Sequence, residues 1–240
     1  MLYMITRLFI IAVIPGIALA LSAYLTDRYD REPIRLLMKV FILGCLSVIP
    51  TAIVERFLIS FNVFGGLLGA AYQAFIVAGL TEEFFKREIV LRTAFKSHDF
   101  DEKLDGIIYA AFSALGFATV ENIMYVVFRF ATNPHIGLYR GVFSVPAHTL
   151  FAVTMGYYLS LAKFAQKDIT YRYYLRRSWI APAMLHGTFN FILMSNLPVL
   201  MTLFLPFVAY LWVINLRKLN KFYSESRNLF KVEYDKKNRV

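Results

Sequence analysis

The residues of this chain that could carry chemistry are carboxylates, histidines and amides that interrupt long apolar runs. A charged group removed from water is costly unless it is paired or serves a function, so these residues are the first candidates for a site. The set is Glu82, Glu83, Lys86, Glu121, Asn122, His148, His186 and Asn190. Imidazoles combined with carboxylates and amides are typical of sites that activate water.

Spacing groups these residues into pairs that share a helix face. Glu82 and Lys86 are four positions apart, as are His186 and Asn190, so each pair lies on one face of a helix. Glu83 projects about 100° away from Glu82 around the helix axis. We therefore expect the two adjacent glutamates to have different duties, one pointing into a site and the other bonding to a neighbouring group.

Two mechanisms of hydrolysis fit these residue types, and the sequence leaves both open. Glu121, His148 and His186 could hold Zn²⁺ or another divalent metal with an open position for water. Alternatively, a glutamate activates water without a metal, while His186 and Asn190 stabilise the oxyanion.

A covalent mechanism is less favoured. No Gly-x-Ser-x-Gly and no Ser/Lys or Asp/Asp intramembrane arrangement stands out, so hydrolysis by activated water is the preferred interpretation. The zinc-binding motif His-Glu-x-x-His is also absent from the sequence. In this interpretation the supporting residues are Lys86 and Asn122. The catalytic residues are Glu82, Glu83, Glu121, His148, His186 and Asn190.

Composition indicates the environment in which these residues must work. Hydrophobic residues make up 58% of the 240 residues, against about 45–50% in soluble domains, and charged residues only 18%. The mean hydropathy is +0.55. These values exclude a soluble or disordered chain and indicate an integral membrane protein. The net charge is +10, and the basic residues lie between the apolar runs. We therefore expect them to contact anionic lipid headgroups rather than nucleic acid.

Seven apolar segments are long enough for a bilayer core of about 30 Å, which needs about 20 helical residues. They cover approximately residues 3–25, 36–59, 67–85, 104–128, 142–162, 179–195 and 198–216. We predict an all-α fold, a polytopic membrane helical bundle of about seven transmembrane helices. Residues 1–217 form its single transmembrane domain, and residues 218–240 form a short basic cytoplasmic tail. Most Lys and Arg residues fall between alternate segments, which places the N-terminus outside.

The depth of the candidate residues constrains the third helix. The paired glutamates lie near the cytoplasmic end of the bilayer if this helix stops at Phe85. To reach the depth of Glu121 and His148, they require a helix that continues to about Phe95, and we predict such a helix. Glu121 and His148 fall in the outer half of their spans, which favours chemistry on the extracytoplasmic side.

These residues, in this order, resemble the PrsW family of bacterial membrane proteases, which is distantly related to the CAAX-processing endopeptidases. The matching stretches, within about residues 24–195, are Asp27-Arg28-Tyr29-Asp30-Arg31-Glu32-Pro33, Glu82-Glu83-x-x-Lys86, Asp105-Gly106 with Glu121-Asn122, His148, and His186 with Asn190. In this resemblance, Glu82 and Glu83 match the catalytic glutamate pair. Glu121, in Phe117-x-x-x-Glu121, stands where the CAAX-processing relatives have a histidine, so it could ligate a metal or serve as an acid.

The resemblance implies an intramembrane endopeptidase of the bacterial cell membrane. Its substrate would be a single-span anti-sigma factor cut on its extracytoplasmic side, which releases a stress-responsive sigma factor. Two other functions stay open from the residues alone. A proton-coupled transporter could use the acidic residues and histidines as a relay, although no second copy of either motif is visible. A non-catalytic scaffold could bind a partner span through the faces of Gly79, Gly116 and Gly156.

Overall fold

The computed structural model describes residues 2–129 and 134–237, and every regular element within these ranges is helical. Helices form because peptide groups in a bilayer must find their hydrogen-bond partners within the segment. The α-helices are α1 (Leu2–Thr26), α2 (Ile34–Ile59), α3 (Gly66–Ala71), α4 (Thr81–Arg92), α5 (Lys103–Ile123), α6 (Pro134–Tyr139), α7 (Val145–Lys163), α8 (Asp168–Met194), α9 (Pro198–Thr202) and α10 (Phe204–Lys237). The predicted all-α class is confirmed.

The third helical segment is long, as the depth argument predicted. Helix α3, a π-helical stretch over Tyr72–Leu80 and α4 follow one another without a break. The helix continues past Phe85 and ends at Arg92, a few residues before the predicted end. π-Helical turns are frequent near functional sites, and this one directly precedes the paired glutamates.

Four helices among the described residues are long and apolar enough to cross a membrane. They are Thr6–Thr26, Ile34–Ile59, Lys103–Arg129 and Pro198–Lys236. The other predicted spans are helical as well, but α4, α7 and α8 contain charged and polar residues that lower their hydropathy. The count of seven spans and the orientation of the termini stay predictions.

Helix α5 is the centre of the bundle. It packs against α1, α2, α4, α7 and α10, and most of its residues are buried. Gly106 of α5 and Gly156 of α7 face each other, and a Cβ atom at either position would meet the backbone of the other helix. Because both side chains are absent, the two backbones approach closely. This contact sets the spacing of the helices that carry Glu121 and His148.

Other glycines are used in the same way. A Cβ at Gly79 would meet the carbonyl oxygen of Ala183, and one at Gly116 would meet that of Phe41. The glycine faces considered for a partner span, including that of Gly156, are therefore covered by helices of the chain itself.

Helix α5 begins beside a group of buried carboxylates. Oδ2 of Asp105 accepts the backbone N–H of Glu102 at 2.7 Å, and Oδ2 of Asp27 accepts that of Glu32 at 2.9 Å. The hydroxyl of Tyr109 donates to Glu32. Burial raises the pKa of Asp27 to about 6 and that of Glu102 to about 7, because an ionised carboxylate loses its hydration there.

The described part of the predicted basic tail continues α10 as far as Lys237. Phe222 is fully buried and stacks on Tyr157 of α7, with ring centroids 4.8 Å apart. Nζ of Lys103 pairs with Oε2 of Glu225 at 2.7 Å. This part of the tail therefore packs on the bundle.

Candidate active site

Ionisable side chains from three helices meet inside the bundle. Glu82 and Glu83 come from α4, His148 from α7 and His186 from α8. Each residue offers one atom that could bind a metal ion, and these four atoms all lie within 4.8 Å of one another. All four residues are at most 5% exposed. We call them the four-residue group; it exists only because the three helices pack together.

The Lys86 ammonium lies among the side chains of the four-residue group. Nζ donates to Oε1 of Glu83 at 2.8 Å and to Oε2 of Glu82 at 3.0 Å. It also donates to Nδ1 of His148 at 3.0 Å, and it lies 4.3 Å from the centre of the Phe117 ring. The lysine side chain is 0% exposed, so these partners replace its hydration. Two carboxylates surround one ammonium, which leaves the group with excess negative charge.

Glu121 and Arg140 hold the other side of His148. Oε2 of Glu121 lies 3.0 Å from Nε2 of His148 and 2.9 Å from Nη2 of Arg140. An ionised carboxylate only accepts hydrogen bonds, so Nε2 carries the ring proton. The lone pair is then on Nδ1, which points towards Lys86. Glu121 thus fixes both the orientation and the tautomer of His148.

His186 lies between the Glu83 carboxylate and the Asn190 amide. Its Nδ1 lies 3.0 Å from Oε1 of Glu83, and its Nε2 lies 3.1 Å from Nδ2 of Asn190. The ring stacks on Phe151, with centroids 5.0 Å apart and planes inclined by 17°. In this arrangement Nδ1 donates to Glu83. A half-turn of the Asn190 amide would place its oxygen at Nε2 and free the Nδ1 lone pair for a metal ion.

A cavity of about 580 Å³ opens beside the four-residue group. Glu82, His148, His186 and Asn190 line it. Glu83 does not, since it is completely buried behind them and bonds to Lys86 and His186. The two glutamates therefore differ as their spacing predicted, with Glu82 facing the open space.

The four-residue group fits a divalent cation. Carboxylate oxygens and imidazole nitrogens are ligands of Zn²⁺. Oε2 of Glu83 is buried without a hydrogen-bond partner among the described residues, so it has a free lone pair to offer. Glu121 and Asn190 contact the outer nitrogens of the two histidines, as the outer hydrogen-bond partners of metal-binding histidines do.

Four of the eight residues selected from the sequence form the four-residue group, and Lys86, Glu121 and Asn190 each contact at least one of its members. The sequence predicted Glu121 as a metal ligand together with His148 and His186. Glu121 lies outside the four-residue group, because it faces the opposite nitrogen of the His148 ring. Asn122 donates to the carbonyl of Ala12 at 2.9 Å and accepts from Nε of Arg140 at 3.1 Å. It ties α1 to the segment before α7.

Sequence reasoning did not select several other polar residues of the cavity wall, among them Glu55, Gln73 and Arg140. The only signal for Glu55 and Arg140 is a charge within or next to an apolar stretch. Arg140 pairs with Glu121 of α5, and spacing along one helix cannot reveal such a contact between helices.

Comparison with known proteins identifies the family of the chain. A family model described as PrsW family intramembrane metalloprotease matches residues 32–214. The chain is 42% identical over 225 residues to Protease PrsW of Clostridioides difficile (strain 630), covering 93% of this chain and 94% of the relative. It is 36% identical over 220 residues to Protease PrsW of Bacillus subtilis (strain 168), covering 91% and 95%. No solved structure matches the chain significantly. The chain therefore belongs to the PrsW family of intramembrane metalloproteases.

Proposed function

We propose that the chain is an endopeptidase of the bacterial cell membrane that cuts a single-span anti-sigma factor on its extracytoplasmic side and so releases a sigma factor. The main observation that supports this proposal is that Glu82, His148 and His186 meet at the wall of one cavity between membrane helices. The choice of an anti-sigma factor rests on the family resemblance. The choice of side rests on the predicted depth of Glu121 and His148. Membership of a protease family argues against the transporter and scaffold alternatives.

In the proposed reaction Glu82 is the general base, because it is the glutamate of the pair that faces the cavity. It takes a proton from water while the water oxygen attacks the carbonyl carbon of the scissile peptide bond. The Asn190 amide donates a hydrogen bond to the oxyanion that forms on the carbonyl oxygen. Glu82 then passes the proton to the leaving nitrogen as the C–N bond breaks.

The neighbouring residues position these groups. Glu83 accepts from Nδ1 of His186, and the Phe151 ring stacks on the same imidazole, so the ring and Asn190 beside it are held in place. Glu121 holds the His148 ring in the same way, through its contact with Nε2. Such positioning is worth a large part of a catalytic rate when the reacting atoms must be aligned.

Glu83, His148 and His186 would hold Zn²⁺ or another divalent ion, which leaves Glu82 facing the cavity. When bound, the ion would lower the pKa of water and stabilise negative charge on the carbonyl oxygen. This set contains Glu83 in place of Glu121, because the Glu83 carboxylate and Nδ1 of His148 both lie at the Lys86 ammonium.

The test is cleavage by the purified protein in phospholipid vesicles. Single-span anti-sigma-type substrates are incubated with wild type, Glu82→Gln and His186→Ala, with and without EDTA. The masses of the products are measured by mass spectrometry. Glu88→Gln is the matched control, because Glu88 lies on the same helix but pairs with Arg92 outside the cavity.

We expect the wild type and Glu88→Gln to give one defined product and the two site variants to give none. The product mass places the cut relative to the substrate span, so a cut on the cytoplasmic flank would contradict the proposed side. Loss of product with EDTA, restored by Zn²⁺, would support the metal. No product from folded wild type with any substrate would refute the proposed substrate class.

A further inference from the structure

We propose that Lys86 is a built-in competitor for the metal ion. Its ammonium holds the cation position of the four-residue group, and a divalent ion binds only when this side chain moves into the adjoining cavity. The inference rests on the metal site of the proposed function but not on the identity of the substrate or on cleavage itself.

The geometry around Nζ supports this inference. The ammonium donates to Glu82, Glu83 and His148 at 2.8–3.0 Å, so it occupies acceptor atoms of three members of the four-residue group. A zinc ion held by Glu83, His148 and His186 would need two of these residues, Glu83 and His148, at about 2.0–2.2 Å. The lysine and the ion therefore cannot occupy the position together, since both would contact Glu83 and His148 and their positive charges repel.

Only the end of the Lys86 side chain is free to exchange with an ion. The backbone is part of α4, and the Lys86 carbonyl accepts the Ser113 hydroxyl at 2.8 Å. The site therefore has two states of one backbone, one in which the lysine ammonium offsets part of the negative charge and one in which a divalent ion does so. The lysine state prevents Glu82 and Glu83 from facing each other as unpaired buried charges.

The experiment measures metal affinity in detergent by competition with a zinc-binding dye. Wild type is compared with Lys86→Met, with Lys86→Gln as a second variant. Lys218→Met is the control, because Lys218 is a half-buried lysine that hydrogen-bonds Thr154 and Asn215 outside the four-residue group. We expect Zn²⁺ to bind the Lys86 variants about tenfold tighter or more, which is about 1.4 kcal/mol, and Lys218→Met to bind like the wild type.

Thermal unfolding provides a check on folding and a second readout. A tightly bound ligand stabilises the folded state, so Zn²⁺ should raise the Tm of Lys86→Met more than that of the wild type. Unchanged or weaker zinc affinity in the folded Lys86 variants would overturn the competition. An active protease with that result would refute this inference alone, whereas tighter binding without cleavage would refute only the proposed function.

A measurement on the wild type does not depend on the variants folding. The Lys86 amine is fully buried, so an amine-reactive reagent should label it slowly. If Zn²⁺ displaces the side chain into the cavity, saturating Zn²⁺ should speed this labelling, as followed by peptide mass spectrometry. Labelling of Lys86 that is equally slow in metal-saturated protein would overturn the proposal.

Discussion

Glu121 and His148 are joined by a 3.0 Å contact between Oε2 and Nε2, at the ring nitrogen that does not face Lys86. The carboxylate is also paired with Arg140 at 2.9 Å, so its position is fixed from two sides. It therefore controls which nitrogen of His148 offers a lone pair to the four-residue group.

Replacement of Glu121 tests this control. In Glu121→Gln the amide can donate to Nε2, which moves the ring proton to Nδ1 and removes the lone pair from the site. We expect kcat/KM and zinc affinity to fall by about 10-fold to 100-fold. Both are measured beside Glu88→Gln, and values within twofold of wild type would show that Glu121 does not position the histidine.

Asn190 is expected to act on the transition state. Loss of one oxyanion donor typically lowers kcat by about 10²–10³, so Asn190→Ala should show this loss with little change in KM. Steady-state kinetics on a purified single-span substrate measures both constants. A raised KM with an unchanged kcat would instead assign the amide to substrate binding.

The contact between Gly106 and Gly156 predicts a stability effect. In Gly156→Val the new side chain would meet the backbone of Gly106 and Ile107, so α5 and α7 would have to separate. We expect destabilisation of about 3 kcal/mol or more and a lower Tm in detergent. Gly65→Ala is the control, because nothing lies near its Cβ position. Equal Tm values for the two variants would contradict the close packing.

The buried carboxylates near the start of α5 predict that stability depends on pH. The folded-state pKa values of Asp27 and Glu102, about 6 and about 7, exceed the unfolded values of about 4. The unfolded chain therefore releases these protons first as pH rises, and stability should decrease between about pH 4 and pH 7.

This pH dependence is measured as the Tm at several pH values in that range. Asp27→Asn keeps an oxygen that can accept the Glu32 N–H but cannot ionise, so its Tm should fall less steeply than that of the wild type. A variant whose Tm falls as steeply would exclude Asp27 as a source of the pH dependence.

The sequence by itself determined the fold class, several contacts within helices and the family. Long apolar runs without water require helices, because the backbone must satisfy its own hydrogen bonds. The spacing of four residues placed each of two pairs on one helix face, and in the structure Glu82 contacts Lys86 and His186 contacts Asn190. The sequence also predicted the long third helix. A helix rises about 1.5 Å per residue, and its glutamates had to reach the depth of Glu121 and His148 in the bilayer.

Only the tertiary structure decided how residues of different helices meet. It places Lys86 against His148, turns Glu121 to the outer nitrogen of that ring, and brings Arg140 and Glu55 to the cavity wall. Sequence spacing gives the direction of a side chain relative to its own helix axis. The rotation and separation of neighbouring helices depend on how their surfaces pack, as at Gly106 and Gly156, and these contacts join residues far apart in the chain.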